Sequence, residues 1–77
     1  VHYGADIMTL KKRSFSLSGH RTSVALEAEF WAVLEREAGR LKQSLAGYVA
    51  DIDKARGTRP LASALRLAAL AAASQRH

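Results

Sequence analysis

The sequence predicts a mainly α-helical fold with a short β-ribbon, built as an intertwined homodimer. Three observations predict it. An alternating apolar pattern precedes the helices and changes phase near Ser18-Gly19-His20. Two segments of helical period follow, joined by a short connection. An Ala- and Leu-rich stretch closes the chain as an additional C-terminal helix.

With 77 residues the chain holds one domain and buries a small core. Chains of this size often need a staple, and the absence of cysteine removes disulfides and thiolate metal sites. Oligomerisation is the remaining staple. The formal net charge of +5 favours polyanionic partners, nucleic acid first.

Residues 1–10 show no clear period and read as a flexible lead. Lys11, Lys12 and Arg13 form a basic run, a solvated patch or a set of phosphate contacts. Phe15 and Leu17 are apolar at odd positions, Val24 and Leu26 at even ones. Side chains on a strand alternate faces, so one regular strand cannot bury both pairs. The phase must reset between them, and glycine tolerates the angles of a turn or bulge. Arg13–Leu17 and Arg21–Leu26 are therefore two arms of a hairpin, or two strands separated by a kink.

The first helix is expected over Ala28–Arg40. Phe30, Leu34, Ala38 and Leu41 recur at helical spacing beside Trp31. Glu27 and Glu29 suit the positive end of the helix dipole. Ser44 is a good N-cap for a second helix over Leu45–Arg56, with Leu45, Tyr48, Val49 and Ile52 on one face. Gly57 suits its end. Pro60 suits the first turn of a third helix, Leu61–Ser74, interrupted by the single charge Arg66. That stretch is too short for the roughly 20 apolar residues of a membrane span. Residues 11–57 thus form the domain proper and 58–77 the C-terminal helix.

A lone strand needs a partner for its backbone groups, and a copy of itself in a second chain supplies one. In such a dimer Val24 and Leu26 point onto the helices. Arg21, Ser23 and Ala25 point to solvent from both chains. A two-stranded ribbon of this kind fits the DNA major groove. Val24, Leu26, Phe30, Trp31, Leu34, Val49 and Ile52 are the expected dimer core.

The run His20-Arg21-Thr22-Ser23-Val24-Ala25-Leu26-Glu27-Ala28-Glu29-Phe30-Trp31, with Leu34, Ala38, Leu41 and Ser44-Leu45 after it, resembles the ribbon-helix-helix family of Arc- and MetJ-like repressors and antitoxins. The resemblance covers about Lys11–Asp53. It implies that Arg21, Ser23 and Ala25 occupy the base-reading positions. Arg21 could grip a guanine through paired hydrogen bonds; Ala25 offers only contact with a thymine methyl. It also implies that Ser44 and Leu45, at the start of the second helix, hold a DNA phosphate on free backbone amides. Lys42 stands where the family commonly has glycine, adding charge near that phosphate. Lys11, Lys12 and Arg13 become phosphate contacts that position without specifying sequence.

The expected function is a DNA-binding transcriptional regulator, a dimer or higher oligomer on double-stranded DNA. A second reading is an antitoxin-like module that binds a protein through Leu61–Ala73. No cofactor, metal, membrane contact or enzymatic activity is expected, and the expected location is cytoplasmic, with the nucleoid. Glu35 and Glu37 lie two positions apart and face different sides of a helix, as do Asp51 and Asp53. His2, His20 and His77 are too scattered to suggest a metal site.

Overall fold

The computed structural model describes residues 10–74. Of the proposed lead over residues 1–10, only Leu10 is described, as the first residue of β1; the rest of it, with His2, His77 and the end of the C-terminal segment, lies outside these. The elements run β1 (Leu10–Leu17), β2 (His20–Glu27), α1 (Ala28–Arg40), α2 (Leu45–Ala55) and α3 (Leu61–Ser74).

The phase change is resolved as a hairpin. β1 and β2 pair antiparallel, with Leu17 opposite His20 and Leu10 opposite Glu27. Every pair in this register joins an odd position to an even one. Phe15 and Leu17 therefore share a face with Val24 and Leu26, and all four are buried. The two-residue loop has positive φ at both positions, 53° at Ser18 and 81° at Gly19. That is the backbone of a type I′ turn, whose twist matches the strands it joins.

Of the two alternatives for the strands, the hairpin is the one observed. β2 has a partner in its own chain, and one of its two edges is taken by β1. The residues named as the expected dimer core lie in the core of the single chain described here. Leu26, Leu34 and Val49 are fully buried, Trp31 and Val24 nearly so, and Phe30 and Ile52 pack against them half-buried. Phe15 and Leu17 of β1 belong to the same core cluster.

α1 buries Trp31, Leu34 and Ala38, spaced three and four apart along one stripe. Its C-terminus is a Schellman motif: the amide of Gln43 donates to the Ala38 carbonyl and that of Lys42 to Gly39, at 2.9 and 3.0 Å. Lys42 occupies the left-handed position of this motif, with φ 59°. The Ser44 hydroxyl then accepts from the Gly47 amide at 3.0 Å, capping α2. Gly57, with φ 63°, turns the chain away after α2.

α3 packs against α1, α2 and β2 of the same chain. Its Leu65 and Ala69 enter the common core, and Ala64 and Ala72 are buried beside them. Ala lets helix backbones approach closely, and Leu65 fills the space between them. The single charge in this helix, Arg66, reaches the β2–α1 junction. Its guanidinium donates to the Glu27 carboxylate at 3.0 Å and lies 5.7 Å from the centre of the Phe30 ring. No helix among the described residues is long and apolar enough to cross a membrane.

Candidate nucleic-acid interface

The hairpin has two unlike faces. The inner face carries Phe15, Leu17, Val24 and Leu26 down onto the helices. The outer face of β2 presents Arg21, Ser23 and Ala25, all exposed. The register sets Ser16, Ser14 and Lys12 of β1 directly opposite them, also exposed. The hydroxyls of Ser14 and Ser23 lie 2.8 Å apart in a cross-strand hydrogen bond. Arg21 and Lys12 form no ion pair among the described residues. The outer face is therefore cationic, polar and free of carboxylates over Lys12–Ser16 and Arg21–Ala25.

Strand alternation divides the basic run Lys11-Lys12-Arg13. Lys12 stands on the outer face with Arg21; Lys11 and Arg13 belong to the other. Arg13 is held there by Glu35 of α1 at 2.6 Å, its guanidinium 5.1 Å from the centre of the Trp31 ring. The Lys11 carbonyl accepts the Trp31 indole N–H at 2.8 Å. These contacts tie β1 to α1.

Lys42, Ser44 and Leu45 lie together in the turn between α1 and α2, a region separate in sequence from the hairpin. Lys42 is exposed. The first-turn amides of α2 have no intrahelical acceptor, and together with the helix dipole they favour an anion. The Ser44 hydroxyl uses one of them, Gly47.

Glu27, Glu35, Glu37 and Asp53 each pair with an arginine. Hydrogen bonding from backbone and then from Arg66 holds Glu27 below the ordinary carboxylate pKa. Arg40 does the same for Glu37, through a hydrogen bond and its charge, and is itself pushed up. Glu35 pairs with Arg13, Asp53 with Arg56. Among the described residues no group of three or more His, Asp or Glu could hold a metal ion. His20 is exposed beside the hairpin turn.

The model of the ribbon-helix-helix domain matches residues 10–73 of the chain. The chain belongs to the ribbon-helix-helix domain family. The match extends from the first residue of β1 almost to the end of α3, so the hairpin's first strand and the third helix are both inside this ribbon-helix-helix domain. Domains of this family are non-enzymatic and regulatory, typically of DNA-binding or antitoxin type, and generally bind DNA as dimers. No curated protein and no solved structure matches the chain.

Strand alternation places Arg21, Ser23 and Ala25 on an outer face; Ser14 and Ser16, which share that face, are not among the expected contacts. The signal was present. With a two-residue loop at Ser18-Gly19, odd positions of β2 must face the same way as even positions of β1.

Proposed function

We propose that this protein is a DNA-binding transcriptional regulator that acts as a homodimer and sets the outer face of its β-ribbon in the major groove. The observation that carries this reading is the exposed row Arg21, Ser23 and Ala25, standing back to back with the buried pair Val24 and Leu26. Arg21 reads a guanine through its two parallel donors, and Ser23 donates or accepts at the neighbouring base. Lys42 and the first-turn amides of α2 at Ser44 and Leu45 hold a phosphate. Lys11, Lys12 and Arg13 lie along the ribbon as further phosphate contacts, Arg13 only after release from Glu35. Among the described residues no strand takes the second edge of β2, and it pairs with the same strand of another copy around a two-fold axis, giving the dimer an intermolecular antiparallel pair. The net charge of +5 supports a polyanionic partner, and a cytoplasmic, nucleoid-associated repressor is the role that fits it.

Fluorescence anisotropy of labelled duplex DNA across a salt series tests this reading. Binding should weaken steeply with salt, and Arg21→Ala should lose about 1–3 kcal/mol on preferred duplexes. No binding by the folded protein at low salt would overturn it.

A second reading rests on α3. Leu67 and Leu70 are among its exposed large apolar residues, and Leu67 borders an open cleft of about 380 Å³ with Ile52, Ala55, Arg56, Arg59 and Ala64. A protein partner bound through Leu61–Ala73, as an antitoxin would bind, fits that surface. Leu67→Lys together with Leu70→Lys should abolish such a partner while leaving DNA binding unchanged.

A further inference from the structure

The reading face of β2 has a gap at Ala25. Its methyl group carries no hydrogen-bonding atom, so position 25 contributes nothing directional to a base edge. The hairpin register sets Lys12 directly opposite Ala25. Side chains so paired across an antiparallel ribbon have Cβ atoms about 4.5–5.5 Å apart. Lys12 is exposed, makes no ion pair among the described residues, and stands opposite a methyl group in the register. The next outward pair, Ser14 with Ser23, is short and joined hydroxyl to hydroxyl. Nothing along this part of the face matches the reach of the lysine.

We propose that Lys12 is a specificity-determining residue that leans across Ala25 and reads a guanine edge, so that the recognition surface comes from both strands of one hairpin. The inference rests on the reading that the outer ribbon face meets DNA, and it changes the role of Lys12 from backbone contact to base reader. A lysine ammonium donates to guanine O6 and N7, the two acceptors that guanine shows in the major groove. Lys42, in the α1–α2 turn, remains a backbone contact and serves as the internal comparison.

The test uses the full chain, a pool of randomised duplexes, and the variants Lys12→Ala and Lys42→Ala. Both positions are exposed, and circular dichroism checks that each variant is folded. Wild type should enrich duplexes with a guanine at a fixed distance from the one read by Arg21. Lys12→Ala should lose that guanine preference and bind the preferred duplex about tenfold or more weakly, with a smaller loss on a scrambled duplex. Lys42→Ala should weaken both duplexes by the same factor. An equal loss on both duplexes for Lys12→Ala would overturn the proposal and leave Lys12 a phosphate contact. Wild-type binding without any base preference would overturn it while DNA binding itself stood. Absence of wild-type binding would remove both.

Discussion

The indole N–H of Trp31 donates to the backbone carbonyl of Lys11 at 2.8 Å, tying the first turn of α1 to the start of β1. The indole body packs 5.9 Å from the Phe15 ring, centre to centre, and is almost wholly buried. Trp31→Phe keeps most of the apolar surface but leaves the carbonyl without its donor. It should cost at least about 1 kcal/mol. Urea denaturation followed by circular dichroism measures this, and an unchanged midpoint would show that the hydrogen bond carries no stability.

The left-handed backbone at Lys42 is costly for any residue with a Cβ, by about 1–2 kcal/mol in the helical comparison. Lys42→Gly should therefore raise stability by about 1 kcal/mol, read as a higher denaturation midpoint. The same variant removes a cation from the proposed phosphate site. Stability up and DNA affinity down is the expected pair of results. Lys42→Ala should lose the affinity without the gain in stability.

The two faces of β2 can be told apart by one charge moved by one position. Val24 is buried against the helices, so Val24→Asp puts a carboxylate into the core and should abolish folding. Ser23→Asp lies on the exposed face and should leave the helical circular dichroism signal intact while abolishing binding to duplex DNA. A folded Val24→Asp protein would contradict the inner position of that side chain.

Much of this arrangement was legible before the structure, and for identifiable reasons. The helices announce themselves through apolar spacing and through Ser44 and Gly57 at their ends. The odd-to-even change from Phe15 and Leu17 to Val24 and Leu26 located the turn. It left hairpin and kink equally open, because Ser-Gly is a weaker turn signal than Asn-Gly. The basic run at Lys11–Arg13 read as one patch, since adjacent charges do not reveal which face each will take. The enclosure of Trp31 within one chain was not legible either. It depends on β1 folding back over α1, a contact between residues 20 positions apart. Nor did the sequence reveal that Arg66 reaches Glu27, 39 positions away.

Acid should weaken the fold in a defined window. Glu27 and Glu37 have folded pKa values held below the ordinary 4.5. A depressed folded value means that the ionised carboxylate favours the folded state. That contribution is complete above about pH 4.5 and is lost as pH falls through the lower folded value. Thermal melts should show a falling midpoint on acidification below that range. Arg66→Gln should be less stable than wild type near neutrality, with the gap narrowing as Glu27 becomes protonated. A gap of constant size down to the acid limit would remove the Arg66–Glu27 pair as its cause.

α3 is part of the core, so its loss should not be silent. Leu65 is fully buried, and Leu65→Ala should cost about 2–5 kcal/mol. Removal of everything after Gly57 uncovers β2 and α1, which α3 packs against, and should abolish cooperative melting. A truncated chain that melts as sharply as the full one would show that α3 is an appendage.

The lateness of α3 in the chain also has a bearing on biosynthesis. β2, α1 and α2 are complete by Ala55, yet the surface that covers them arrives with Leu65, Ala69 and Ala72. At ordinary rates of translation that interval is about 1–3 s. Until those residues are in place, β2, α1 and α2 lack the cover that α3 gives them.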